Sequence, residues 1–177
     1  MIQTSAQGII QKGRQTTQML DTIQIIIHAA RVGNAAILKE MIRFGNAVNC
    51  RNMKGYTPLI IAGYHNQLEI AEILVAAGAD IDAQDNGGHT SLMGAAHEGH
   101  KTMAEFLIRH GADLNLQHEN GATALMFAVM FDQNELLKLL LQHGADPLIR
   151  NAWGRSALDI ALLQDNQEAI DLLKPMG

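Results

Sequence analysis

The sequence predicts an all-α solenoid of about five helix-turn-helix repeats joined by β-turn fingers. The first observation is self-similarity: GYTPLIIA, GHTSLMGA, GATALMFA and GRSALDIA begin at Gly55, Gly88, Gly121 and Gly154, each 33 residues after the last. A fixed period of this length marks a stacked repeat architecture. A second register, RFGNAVN, AAGADID, RHGADLN and QHGADPL, sets Gly45, Gly78, Gly111 and Gly144 at the same spacing, and Gly177 falls in step. The second observation is that each copy holds two short apolar runs. Helices of two or three turns are unstable alone and must bury their faces against neighbouring copies. The third is composition: 47% hydrophobic and 18% charged, with a mean hydropathy of +0.01, is that of an ordinary folded chain.

Taken in order, residues 1–20 lie outside the period; residues 3–18 are mostly polar and suit a tail or a helix capping the apolar end of the first repeat. The repeats follow at about 21–50, 51–83, 84–116, 117–149 and 150–177, the first lacking the turn motif and the last shortened, as expected of units that face water on one side. Within a unit, Thr57, Thr90, Thr123 and Ser156 each precede an apolar run, where a hydroxyl can accept from the free N–H groups of a helix's first turn. Pro58 then occupies the first helical position, where proline is tolerated best. The first helix is expected to stop at Gly33, Asn66, Gly99, Asp132 and Asp165, residue types that accept a left-handed conformation. A second helix, with Leu74, Leu107, Leu140 and Leu173 in register, runs to the Gly-Ala-Asp signal. Ala29, Ala62, Ala95, Ala128 and Ala161 are small because two helices approach there. Phe44, Phe106, Phe127 and His28 fall in the apolar stripes and read as core.

The strings NMKGYTPL and DNGGHTSL and the repeated Gly-Ala-Asp resemble the ankyrin repeat, whose pattern runs Asp-x-x-Gly-x-Thr-Pro-Leu-His-x-Ala. The resemblance covers three full repeats and two partial ones. It departs at the His of the pattern, which is Ile60, Met93, Met126 and Asp159 here, so the hydrogen bonds that this His makes between adjacent loops are not expected. The resemblance implies protein recognition through a concave groove, by finger tips, by the residue after each finger glycine, and by the exposed ends of the first helices.

In this chain those positions are Met53, Lys54, Asn86, Gly87, Glu119, Asn120, Ala152 and Trp153 at the tips, then Tyr56, His89, Ala122 and Arg155 after the glycines. The helix ends supply Tyr64, His65, His97, Glu98, Met130, Phe131, Leu163 and Gln164. The set contains Tyr56, Tyr64, Phe131 and Trp153, four of the chain's seven aromatics, and aromatic and Arg side chains dominate binding hot spots. The expected partner-binding residues are Met53, Lys54, Tyr56, Tyr64, His65, His89, His97, Glu98, Met130, Phe131, Trp153, Arg155 and Leu163. Lys54 and Arg155 balance Glu98 and Glu119, so long-range charge steering is not expected to choose the partner.

Other functions are disfavoured. A net charge of −5 has the wrong sign for nucleic acid, and no apolar run approaches a membrane span. Cys50 is the single cysteine, which fits a reducing, cytoplasmic setting and leaves no Cys-rich metal site. His97-Glu98-Gly99-His100 superficially resembles a zinc-protease helix, but the His spacing is three rather than four and Gly99 ends the helix. The glycines are spent on turns, and Asp80, Asp113 and Asp146 repeat with the scaffold, so no catalytic site and no cofactor are expected. The expectation is a monomeric adaptor, scaffold, or escort or inhibitor of another protein. The alternative is a haem or metal carrier using His65, His89, His97, Tyr64 and Met130, all ligand types on the same face.

Overall fold

The computed structural model describes residues 21–45 and 48–174; the expectations for residues 1–20 and Gly177 lie outside this range. Ten helical segments follow one another among the described residues, in five pairs. They are α1 (residues 21–32) and α2 (Ala35–Arg43), α3 (Pro58–Tyr64) and α4 (Leu68–Ala76), and α5 (Ser91–Glu98) and α6 (Lys101–Arg109). Then come α7 (Ala124–Met130) and α8 (Asn134–Gln142), and α9 (Ala157–Gln164) and α10 (Gln167–Leu173).

The helix starts are set by single hydroxyls. Thr57, Thr90, Thr123 and Ser156 sit in extended conformation and accept from the N–H three residues on, of Ile60, Met93, Met126 and Asp159. Asp159 returns the contact by accepting from Ser156 N–H, a capping box. Between the helices of a pair the backbone turns left-handed at Gly33, Asn66, Gly99, Asp132 and Asp165.

The first helices form one layer, α3 on α5, α5 on α7 and α7 on α9, and the second helices another, α2 against α4, α6 against α8 and α8 against α10. The core lies between the layers, where Leu59, Leu74, Leu92, Leu107, Leu125 and Leu140 are completely or almost completely buried beside the alanines of the fixed column. At Gly63 the first helices α3 and α5 lie close together: a Cβ there would sit 2.2 Å from Ser91 Oγ of α5, which donates back to Leu59 C=O of α3.

Each finger is a tight turn, closed by Gly55 N–H on Asn52 C=O, Gly88 on Asp85, Gly121 on His118 and Gly154 on Asn151. Fingers join in series through backbone bonds, Asn86 N–H to Lys54 C=O, Glu119 to Gly87 and Ala152 to Asn120, at 3.1, 2.8 and 2.9 Å. A side-chain ladder runs beside them. Arg51 donates to Gln84 C=O, Gln84 Nε2 to Gln117 C=O at 3.0 Å and Gln117 Nε2 to Arg150 C=O at 3.1 Å, each donor also holding a carbonyl of its own turn. These long donors tie the loops that the missing His would otherwise bridge. Arg150 turns instead to Asp159 of its own unit, 3.0 Å away. Asp80, Asp113 and Asp146 hold turns through the N–H groups of Asp82, Asn115 and Leu148.

Three expectations are corrected. Phe44 is not core: it caps the end of α2 and is 69% exposed, because the last apolar residue of α2 packed on the core is Ile42. His28 is exposed, since the phase of α1 turns Ile26, Ile27, Ala29 and Ala30 inward. Ala122 is buried, its small side chain filling the base of a finger rather than facing a partner.

Candidate functional site

The bases of the fingers and the ends of the first helices border a cleft of about 400 Å³. Tyr56, Asp85 and His89 come to it from the fingers, Tyr64, His65 and His97 from the helix ends, and Ile60, Ile61, Met93, Gly94 and Phe127 from the first-helix layer. Arg31 stands at the end nearest the opening unit.

A row of rings crosses three units. The Tyr64 and His97 rings lie 5.6 Å apart, His97 and Phe131 3.8 Å, and Phe131 is stacked with Phe127 at 6.3 Å. The row continues through His118 and His89, each within 6 Å of Phe127. Tyr64 is 42% and Phe131 41% exposed.

Glu98 ties this row together. Its carboxylate accepts from His97 Nδ1 at 2.7 Å and from the Tyr64 phenol, and these bonds favour the ionised carboxylate and the protonated phenol. The Tyr64 bond accordingly holds the Glu98 pKa below the ordinary value; burial opposes it, and the His97 bond adds to the lowering. The Tyr64 pKa is raised by the same bond, with burial adding to it. Burial and then the charge of Arg31 lower the pKa of His65. Burial also lowers that of His118, with the nearby His89 acting in the same direction. Ala122 N–H donates to His118 Nδ1 at 3.0 Å, which requires that nitrogen to be unprotonated and agrees with the lowering.

The expected binding residues divide into groups. Tyr56, Tyr64, His65, His89 and His97 line the cleft, and Glu98 and Phe131 touch its ring row. Met130 is half-buried against the core. Trp153, Arg155 and Leu163 are exposed on the last unit, where Arg155 and Leu163 border a separate, shallower hollow with Leu162 and Asp159. Met53 and Lys54 are exposed on the first finger and do not line the cleft.

Sequence reasoning missed Gly94, Met93, Arg31, Asp85 and His118, and placed Phe127 wholly in the core although its ring forms part of the cleft wall. A readable signal for Gly94 was its place in a column otherwise filled by Ile61, Phe127 and Ile160. Among the described residues no three His, Cys, Asp or Glu side chains gather as a metal site would require. Burial raises the pKa of the Cys50 thiol, which makes it a poor nucleophile. No helix of the described residues is long and apolar enough to cross a membrane.

The chain is matched by the family profile for ankyrin repeats (3 copies), over residues 7–85, 26–118 and 92–177. It is similar to Ankyrin repeat and SOCS box protein 3 of Homo sapiens, 33% identical over 62 residues, and to the protein of the same name in Bos taurus, 32% identical over the same length. Each match covers 35% of this chain and 12% of the relative, so the similarity concerns a small part of those longer proteins. With its 33-residue units, capped helix pairs, joined fingers and a profile match reaching from residue 7 to residue 177, the chain belongs to the ankyrin-repeat family, whose arrays typically serve as non-enzymatic protein-interaction modules.

Proposed function

We propose that this chain recognises another protein through the face shared by its fingers and first-helix ends. It acts by occupancy, as an adaptor, a scaffold, or an escort or inhibitor, and works as a monomer in the cytoplasm. The binding residues are Met53, Lys54, Tyr56, Tyr64, His65, His89, His97, Glu98, Met130, Phe131, Trp153, Arg155 and Leu163. The observation that carries this reading is the Tyr64–His97–Phe131 row: two large aromatics, each more than two-fifths exposed, with the imidazole between them. Rigid rings held by a hydrogen-bonded carboxylate lose little freedom on binding and remove a large area from water.

The test is affinity capture with the intact chain, comparing wild type with the Tyr64→Ala/Phe131→Ala/Trp153→Ala variant. A protein held by the first and lost by the second supports the reading. Identical captures from two folded proteins would move recognition to another face.

A further inference from the structure

We infer that the cleft at Gly94 is an anchoring socket for one aromatic side chain of the partner, with a carboxylate of that partner set against Arg31. This deepens the recognition reading above and rests on it.

Gly94 lies inside α5, and its backbone is not among those with positive φ. A Cβ at this position would meet nothing nearer than Tyr64 N at 3.4 Å, an ordinary contact, whereas at Gly63 it would strike Ser91. Neither backbone nor packing therefore requires glycine at 94, yet glycine inside a helix is less stable than alanine. The same column carries Ile61, Phe127 and Ile160 in other units. Where the side chain is missing, the cleft of about 400 Å³ opens, within the range of sites that hold small organic groups. The glycine is explained by the space it leaves.

The walls select the occupant. Two ring pairs, Tyr64 with His97 and His89 with Phe127, line the cleft at centroid separations of 5.6 and 5.8 Å and offer both faces and edges to an incoming ring. Asp85, the acidic residue of the lining, is already engaged: one oxygen accepts from Gly87 N–H, His89 N–H and His89 Nδ1, and its side chain is 6% exposed. Glu98, against the rings of the same wall, accepts from Tyr64 and His97. The lining cation, Arg31, is exposed. A basic occupant would meet engaged carboxylates and a like charge. An aromatic group carrying or adjoining a carboxylate matches both the rings and Arg31.

The experiment is a titration of the isotopically labelled full chain with N-acetyl-L-tryptophan, its neutral amide and N-acetyl-L-lysinamide, following the Gly94 amide by NMR. Saturable shifts centred on Gly94 are expected with both tryptophan probes, the carboxylate form binding about two- to fivefold tighter. Arg31→Ala should remove that preference. Gly94→Leu should abolish both responses. Gly94→Ala, which fits without strain, should raise Tm by about 2–4 °C while weakening binding. No shift at Gly94, an equal response to the lysine probe, or undiminished binding by Gly94→Ala and Gly94→Leu would overturn the socket. A captured protein that holds Gly94→Leu as tightly as wild type, but is lost by the triple variant, would end the socket and leave the recognition reading standing. If the triple variant loses nothing, that reading itself fails.

Discussion

The imidazole of His97 and the ring of Phe131 lie 3.8 Å apart, centroid to centroid, tilted by 50°, although they come from successive units of the stack. The contact depends on Phe131 sitting one position beyond the counterpart of His97, at the residue that caps α7. From there its ring reaches back over the preceding unit, and a continuous aromatic row replaces three isolated side chains.

Removing Phe131 and Trp153 together should therefore weaken partner binding and leave the fold nearly intact, because neither side chain is buried in the core, Phe131 being 41% and Trp153 64% exposed. Leu107→Ala is the contrasting variant. Its side chain is fully buried, and the truncation should cost roughly 2–5 kcal/mol in a urea titration. Should the exposed pair unfold the protein instead, the ring row would have a structural role.

The finger ladder predicts a local loosening. Gln117 Nε2 bonds Gly121 C=O and Arg150 C=O, at 2.6 and 3.1 Å, so Gln117→Ala should cost about 0.5–1.5 kcal/mol per bond at most. Amide exchange at Ala152, whose N–H rests on Asn120 of the adjoining finger, should quicken in this variant. Unchanged exchange would show that the backbone bonds suffice.

Gly63→Ala should destabilise by about 1–3 kcal/mol, since its Cβ would fall 2.2 Å from Ser91 Oγ and 2.7 Å from Ser91 C=O. Thermal melts of this variant beside Gly94→Ala give opposite signs if the two glycines have the different roles assigned to them.

Acid should weaken the fold through His118. Its folded pKa lies below the ordinary value, so the unfolded chain takes up the proton first as pH falls. The stabilisation is complete above about pH 6.5 and declines as pH drops through the lowered folded pKa. Protonation would also end the acceptance of Ala122 N–H by Nδ1. His118→Asn supplies the side chain found at Asn52 and Asn151 in the same turns, and the urea midpoint at pH 7.5 and 5.5 should then differ less than in wild type.

How legible these features were depended on how far a residue's role is set by its own neighbourhood. Thr57 announces a helix start because a hydroxyl before an apolar run has few other uses, and Asn66 or Asp132 ends one for a similarly local reason. His28 was obscured because Ile25, Ile26, Ile27, Ala29 and Ala30 flank it without a break, and such a run does not reveal its helical phase. The ladder was hidden by its chemistry: Arg51, Gln84, Gln117 and Arg150 share a long donor rather than a residue type. Gly94 stood out in its column of Ile61, Phe127 and Ile160, but the room at that position needed three dimensions, the distance from its missing side chain to Tyr64.

The finger bonds couple each unit to its neighbour, Lys54 to Asn86, Gly87 to Glu119 and Asn120 to Ala152. Compliance in such a row adds joint by joint, as in a leaf spring. A displacement imposed between the first and last units is divided among the joints, so the distance between far-apart units yields more than the distance between neighbours.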